Sequence, residues 1–277
     1  MSAVPLVLAA LTALALAPAT LRHLLAHGHV RLNYRGASLA FPLGFLIAGA
    51  ATLALVPLSL LREIGAHGVL GPQVGSVLIY VLGVGLLGLV DDLLGDERSR
   101  GWRGHGAVLR GGGLSTGALK ATGALGLALY TLGGQGRPAP QYLLACVLLV
   151  LATNLFNLLD LRPGRSIKAF IVLGLALTLG AWDLGPLWTL GLFVGPLLVA
   201  GIYDLRERAM LGDSGSNVVG ALAGLWLVLT LSVTGQVIAT GLIAAITVYG
   251  EFRSISTLVE STPVLRHLDS LGRPLHV

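Results

Sequence analysis

The sequence predicts an all-α membrane protein, a polytopic transmembrane helical bundle. Apolar residues make up 55% of the chain and charged residues only 11%, which differs strongly from the composition of a soluble domain. The apolar residues form near-continuous runs without strand-like alternation, which favours helices over an outer-membrane barrel. The 39 glycines among 277 residues suit close helix packing in lipid. The composition excludes a disordered chain and, with a single cysteine, an internally disulfide-bonded scaffold.

About nine apolar runs are long enough for membrane-spanning helices, each of which needs about 20 residues. We expect them to form one bundle over residues 1–250. The more polar segment 251–277 follows as a C-terminal tail with a short amphipathic helix around residues 254–268. The predicted spans are residues 3–20, 38–61, 72–90, 114–132, 140–157, 167–181, 185–203, 215–233 and 236–250.

The basic residues predict the orientation of the bundle. If the N-terminus lies outside, fifteen of the 18 Lys and Arg residues fall on the inner side and only Arg62 and Arg137 on the outer side. Inner loops of membrane proteins are enriched in such residues, so we expect an outer N-terminus and a cytoplasmic C-terminus. The same asymmetry accounts for the net charge of +5 without a nucleic-acid partner.

Two adjacent carboxylates, Asp91 and Asp92, directly follow the third predicted span. They repel each other unless a cation lies beside them, and Mg²⁺ prefers oxygen ligands of this kind. Ionisable groups at membrane depth are costly, which makes them functional candidates. The alternative is a solvated acidic helix end that faces the arginines of the same loop.

A second polar motif, Asn154, Asn157 and Asp160, ends the fifth predicted span. The three-residue spacing places these side chains on one side of a helix. Their amide and carboxylate groups suit the recognition of a base or a sugar. The alternative is that the asparagines hydrogen-bond to neighbouring helices within the bundle.

A third motif, which includes Asp213 and Ser216, begins the eighth predicted span. Its glycines permit a tight turn, and the N–H groups of the helix N-terminus would attract a phosphate. The alternative is that Asp213 is only a helix cap.

Basic residues lie beside these motifs on the predicted inner face. Arginine offers forked donors to phosphate, so an anionic substrate such as a diphosphate is expected, although the bias toward basic inner loops alone would explain most of them. The residues are Arg31, Arg35, Arg162, Arg165, Lys168, Arg206, Arg208 and Arg253.

In this order, the three motifs resemble those of the polyprenyl-phosphate N-acetylhexosamine-1-phosphate transferases. This family includes the phospho-MurNAc-pentapeptide translocase and the UDP-GlcNAc:undecaprenyl-phosphate GlcNAc-1-phosphate transferases. Asn33, Tyr34, Arg35 and Gly36, together with Pro42-Leu43-Gly44, also look like the first cytoplasmic loop of the family. The resemblance covers most of the chain.

The resemblance implies an enzyme of the bacterial inner membrane with its active site on the cytoplasmic face. It would transfer a sugar 1-phosphate from a UDP-N-acetylhexosamine to a polyprenyl phosphate, such as undecaprenyl phosphate, and release UMP. The product would serve cell-envelope glycan synthesis, as in peptidoglycan or another polysaccharide. Mg²⁺ is the implied cofactor, with Mn²⁺ as the alternative cation, and a homodimer is left open.

The resemblance also implies roles for individual residues. Asp91, Asp92 and Asp213 would be catalytic residues. Asp91 and Asp92 would hold the metal or activate the lipid phosphate, and Asp213 would be a metal ligand. Asn157 and Asp160 would contact the nucleotide. The full set of expected substrate-binding residues is Asn154, Asn157, Asp160, Arg35, Arg162, Arg165 and Ser216.

Two departures from the family leave other functions open. Pro163 replaces an acidic residue of the family motif, and the tail has His267 in place of a histidine cluster. The donor pocket is therefore expected to differ. The two departures make a noncatalytic relative of the family that binds a lipid phosphate one alternative. A separate alternative is an anion transporter, because acids and arginines at the ends of spans also line transport pathways.

Overall fold

The structure is a computed structural model that describes residues 2–95 and 115–274. The described residues form eleven helices and one two-stranded hairpin. The elements are α1 (Val4–Ala26), β1 (Val30–Leu32), β2 (Ser38–Ala40), α2 (Gly44–Glu63), α3 (Val74–Leu94), α4 (Thr116–Leu132), α5 (Ala139–Leu159), α6 (Arg165–Ala181), α7 (Gly185–Leu205), α8 (Gly212–Thr230), α9 (Val233–Phe252), α10 (Ile255–Ser261) and α11 (Pro263–Ser270).

Six of these helices, α1, α2, α3, α5, α7 and α9, are long and apolar enough to cross a membrane. The all-α membrane bundle is therefore confirmed at this level. The other three predicted spans also coincide with helices, but α4 and α6 have only 17 residues each, and α8 begins with a polar run. The count of nine spans and the orientation stay predictions, and the basic residues at 98–110 that support the orientation lie outside the described residues.

Helix α8 forms the centre of the bundle and is almost entirely buried. It packs against α3 and α5 and also contacts α2, α6, α7 and α9. Gly220 and Gly224, four residues apart, lie directly against α5, where a Cβ on Gly220 would come within 2.5 Å of the Thr153 Cα. Small residues at this spacing let two helix backbones approach closely in a membrane protein.

Two predicted boundaries were wrong. Residues 38–43 form β2 and a turn rather than the start of a span, because residues 38–40 pair with β1 and α2 begins only at Gly44. The tail forms two short helices in place of one, with a break at Thr262. Proline disfavours a helical conformation in the residue before it, so Pro263 ends α10 and begins α11.

Six segments that are distant in sequence meet at one end of the bundle, which we call the site end. They are residues 27–43, 91–95, 115–120, 157–168, 204–217 and the tail, 253–274. The backbone N–H of Leu43 donates to Met210 at 2.9 Å, and Ala40 forms a parallel bridge with Ala209. The hairpin between α1 and α2 is thereby fixed to the segment that leads into α8.

Candidate functional site

Close helix packing brings the first and third motifs together. A Cβ on Gly88 would overlap the backbone of Asp213 and Ser214, so only glycine allows α3 and α8 to approach this closely. Asp91 and Asp92 follow Gly88 in the last turn of α3. The contact therefore places the carboxylate pair beside the start of α8, as the sequence predicts for a shared site.

Asp92 binds the N-terminus of α8. Its Oδ1 accepts a hydrogen bond from the backbone N–H of Asp213 at 2.8 Å, and its Oδ2 accepts one from the N–H of Ser214 at 2.9 Å. Free N–H groups at a helix N-terminus attract an anion, and here that anion is a side chain of α3. The expectation that these amides are open to a phosphate is therefore not met in this structure. Asp213 is not the helix cap either, because it lies within the first turn of α8.

The ammonium group of Lys120 lies between two of the predicted catalytic carboxylates. Lys120 Nζ is 2.8 Å from Asp91 Oδ2 and 2.5 Å from Asp213 Oδ2. We call these three residues the Lys120 cluster. Their side chains are 18 to 30% exposed, so the cluster remains partly open to solvent. It contains two negative charges and one positive charge, which leaves an excess of one negative charge for a further cation.

The described residues contain no group of three or more His, Cys, Asp and Glu side chains arranged to hold a metal ion. Of the three predicted metal ligands, Asp91 and Asp213 converge on one cation, whereas both oxygens of Asp92 accept hydrogen bonds from α8. One or two protein carboxylates, completed by water and substrate phosphates, are the usual set for Mg²⁺. The donor chemistry of Asp91 and Asp213 therefore fits a divalent cation that competes with the ammonium of Lys120.

The asparagine motif divides between two environments. Asn157 Nδ2 donates to Asn217 Oδ1 at 3.2 Å, and Asn217 donates to the Val84 carbonyl at 3.3 Å, so these amides link α5, α8 and α3. Asn154, by contrast, is exposed. The hydroxyl of Ser216 is buried and donates to the Asp213 carbonyl at 3.4 Å. In this structure Asn157 helps to hold α8 against its neighbours, whereas the Ser216 hydroxyl bonds within α8.

Asp160 directly follows α5 and faces other carboxylates of the site end. Burial raises the pKa of Asp160, and the negative charges of Asp204 and Asp213 raise it further, while Arg165 acts in the opposite direction. A carboxyl group in this environment holds its proton at a higher pH than a free aspartate does. Asp160 therefore interacts electrostatically with Asp213 of the Lys120 cluster.

Asp204 fixes the loop that follows Asp160. It is 3% exposed, and its Oδ2 accepts a hydrogen bond from the backbone N–H of Gly164 at 2.7 Å. Gly164 has a φ of 71° and lies against Leu205, so a larger residue would be strained and would clash. The end of α7 thus sets the conformation of the 160–165 loop.

Arg35 and Arg162 both lie over the ring of Tyr34, with their guanidinium carbons 5.0 and 4.2 Å from its centroid. Arg35 is also 3.6 Å from Glu207, and Arg162 is 2.9 Å from Glu260. The two predicted substrate-binding arginines are therefore brought together at one exposed aromatic ring. Their present ion pairs are partly exposed, and such pairs are weak enough to exchange for a ligand.

Arg165, a third predicted substrate-binding arginine, is instead held by the tail. Its Nε and Nη2 donate to the two carboxylate oxygens of Asp269 at 2.8 and 3.0 Å, and Arg273 also binds Asp269. We call these three residues the Asp269 cluster. Arg165 is 6% exposed, so its guanidinium faces the tail and not an open site.

Two properties of the Asp269 cluster mark it as structural. Burial acts to raise the pKa of Asp269, but hydrogen bonds from Arg165 and Arg273 outweigh it and hold that pKa below its usual range. In addition, Lys168 Nζ donates to the backbone carbonyls of Leu268, Asp269 and Leu271. The tail is therefore attached to the start of α6 by a set of charge-assisted hydrogen bonds.

Sequence reasoning did not assign three residues of the site end. Lys120 carries a signal that could have been used, because a lysine within a predicted apolar span is costly without an anionic partner. Asn217 and Asp204 are similarly polar residues at the ends of apolar runs. Their partners lie 133 and 40 residues away along the chain, so the sequence alone does not pair them.

A comparison of the chain with models of known protein families finds no match, and a comparison with curated proteins finds none either. The resemblance to the polyprenyl-phosphate N-acetylhexosamine-1-phosphate transferases thus rests on the sequence motifs alone. It stays a prediction.

Proposed function

We propose that this protein is an integral-membrane phosphoglycosyl transferase. It transfers a sugar 1-phosphate from a UDP-N-acetylhexosamine to a polyprenyl phosphate, with undecaprenyl phosphate as the expected acceptor, and releases UMP. The lipid-linked diphosphate then serves the synthesis of a cell-envelope glycan. In this proposal the site end lies at the cytoplasmic face of a bacterial inner membrane.

The observation that carries the proposal is the Lys120 cluster. Asp91, Lys120 and Asp213 come from three different helices and form a charged, partly exposed group at the end of a bundle that contains six candidate membrane spans. Ionisable groups in such a position are expensive to keep and mark a functional site by default. Phosphoryl transfer between two anions needs this kind of charge compensation.

In the proposed reaction, an oxygen of the lipid phosphate attacks the sugar-bound β-phosphorus of the UDP-sugar. A new P–O–P bond forms, and the bond from the β-phosphorus to the oxygen that bridges to the α-phosphate breaks. The bridging oxygen keeps the electron pair and leaves with UMP. Mg²⁺, held by Asp91 and Asp213, would supply neutralisation of the phosphate charge.

The protein residues have separate tasks in this proposal. Asp92 holds the start of α8, which keeps Asp213 in place. The ammonium of Lys120 exchanges one carboxylate partner for a phosphate oxygen when substrate arrives, which keeps the positive charge at the reacting groups. Tyr34 and Arg162 lie at the exposed side of the site end, where a planar base can stack and a diphosphate can pair with the guanidinium.

The first test measures turnover directly. Purified protein is incubated with undecaprenyl phosphate, Mg²⁺ and a panel of UDP-sugars, and the release of UMP and the formation of lipid-linked product are measured. A reaction with EDTA is the metal control. Magnesium-dependent product with one donor supports the proposal and identifies the sugar. Folded protein that binds the lipid phosphate but forms no product with any UDP-sugar contradicts it.

A second candidate, a noncatalytic relative that binds a lipid phosphate, is favoured by the ion pairs already present. The guanidinium of Arg165 donates to Asp269 and to Ser256, and the ammonium of Lys120 has two carboxylate partners. This candidate predicts saturable binding of polyprenyl phosphate without UMP release. The same assay therefore separates the two functions.

A further inference from the structure

The tail helix α11 presents its apolar side chains outward and its one carboxylate, Asp269, toward the protein. Val264, Leu265 and Leu268 are 68, 41 and 47% exposed, whereas the carboxylate of Asp269 is 10% exposed and bound by Arg165. A helix on the surface of a water-soluble domain has the opposite arrangement. The exposed apolar side therefore needs an apolar partner that is outside the described protein.

The rotation of α11 about its axis is fixed. Asp269 binds Arg165 and Arg273, and the ammonium of Lys168 donates to the carbonyls of Leu268 and Leu271. Because these contacts hold Asp269 and the neighbouring carbonyls against the protein, the helix cannot turn its apolar side inward without breaking several charge-assisted hydrogen bonds. The outward position of Leu268 is thus imposed by the fold.

The length of the connection places the tail near the membrane. Helix α9 is a candidate span, and only Arg253 and Ser254 separate its last residue, Phe252, from α10. Two extended residues reach about 7 Å, so α10 begins close to the membrane boundary where α9 ends. Phe252 is 70% exposed and continues the apolar outer side of α9 toward the tail.

The charges beside the apolar side favour an anionic surface. Arg253 and Arg266 are exposed basic residues of the tail, while Asp269 is neutralised within its cluster. Helices with apolar residues on one side and basic residues beside them lie in the interface of a bilayer, and their basic residues attract anionic headgroups.

We propose that α11 is an interfacial helix whose partner is the headgroup region of an anionic lipid leaflet, with Val264, Leu265 and Leu268 inserted into it. The Asp269 cluster holds the helix in the orientation that this contact requires. The tail thereby attaches the 160–165 loop to the membrane surface. This inference does not depend on the proposed transferase activity.

The test uses the full chain in vesicles and one fluorescent label. In a Cys146→Ala background, which removes the single native cysteine, Leu268→Cys is labelled with bimane. Ser270→Cys is the matched control, because Ser270 is exposed on the polar side of the same helix. The vesicles contain phosphatidylcholine and phosphatidylglycerol, with brominated lipid as the membrane quencher and iodide as the aqueous quencher.

We expect brominated lipid to quench the label at position 268 at least twice as strongly as at position 270, and iodide to do the reverse. The difference should shrink in vesicles of phosphatidylcholine alone. Equal iodide quenching at the two positions would overturn the proposal, because α11 would then lie in water. Protection of position 268 from both quenchers would also overturn it, because a second copy or another protein would then cover the helix.

Discussion

The site end contains two clusters of carboxylates and cations that differ in enclosure and in charge balance. In the Asp269 cluster, one carboxylate lies between two guanidinium groups, and the three side chains are 6 to 12% exposed. In the Lys120 cluster, one ammonium lies between two carboxylates, and the side chains are 18 to 30% exposed. The first is closed and has an excess of cations, whereas the second is open and has an excess of anions.

This difference distinguishes a cluster that holds the fold together from a cluster that can take part in a reaction. An enclosed bidentate pair exchanges its partners only when the surrounding chain moves, so the Asp269 cluster suits a fixed attachment. An open cluster with an unbalanced negative charge can accept a further cation from solvent. Arg165 and Lys120 are both basic residues beside an acidic group, yet only Lys120 lies in an environment that allows ligand exchange.

The largest loss of turnover is expected from removing the ammonium group of the Lys120 cluster. Lys120→Met leaves Asp91 and Asp213 facing each other without the ammonium, and we expect UMP release to fall by about 100-fold or more, as for the loss of one electrostatic contact to a transition state. Lys168→Met is the matched control, because its ammonium binds only tail carbonyls. Equal losses in the two variants would contradict the distinction between the clusters.

The next effect comes from the helix contact that builds the open cluster. Gly88→Ala forces a Cβ into the backbone of Asp213, so α3 and α8 must separate, and we expect turnover to fall by about tenfold or more because the catalytic groups are displaced. Gly49→Ala is the control, since a Cβ there meets nothing within 4 Å. Turnover and thermal stability in detergent are measured for both. An unchanged Gly88→Ala variant would show that the close approach is not required.

A smaller effect on turnover, but a clear one on stability, is expected at the closed cluster. Asp269→Asn leaves the cations of Arg165 and Arg273 buried without a counter-charge, at a cost of up to about 3 kcal/mol, which lowers Tm. Glu260→Gln removes the exposed partner of Arg162 and should cost less than about 1 kcal/mol. Thermal unfolding of the two variants in the same detergent compares them, and a larger loss for Glu260→Gln would reverse our assignment of the closed cluster.

The smallest expected effect is on the pH dependence of the stability that the Asp269 cluster contributes. The pKa of Asp269 is lowered in the folded protein, so its contribution to stability is complete above the ordinary aspartate pKa of about 3.9 and is lost as pH falls through the lowered value. The difference in Tm between wild type and Asp269→Asn should therefore stay constant from neutral pH to about pH 5 and shrink below about pH 4. A difference that shrinks between pH 5 and pH 7 would contradict this assignment.

The sequence predicts the long helices well because their signal is local. An apolar run of sufficient length indicates a helix wherever it occurs, and all nine predicted runs contain one in the described residues. The two wrong boundaries have local causes that the hydropathy of the sequence does not reveal. Residues 38–40 are apolar enough for a span but pair with β1, and Pro263 divides the tail helix.

The candidate site could be predicted only in part. The grouping of Asp91, Asp92 and Asp213 follows from the alternating direction of successive spans. Residues at the same end of the spans come together at the same end of the bundle. The role of Asp92 as a ligand of the α8 N-terminus could not be predicted, since it depends on the close approach at Gly88. Likewise, Arg165 is bound by a tail residue 104 positions away, a contact that no local pattern specifies.

The most direct test compares Asp213→Asn with Asp269→Asn in one assay of UMP release from the UDP-sugar that the wild-type protein uses. Each variant removes one carboxylate charge, one from the open cluster and one from the closed cluster. Our account predicts that Asp213→Asn loses turnover by about 100-fold or more while its Tm stays near that of the wild type, and that Asp269→Asn lowers Tm but retains most of its turnover. Full turnover in Asp213→Asn, or equal loss in both variants, would contradict the account.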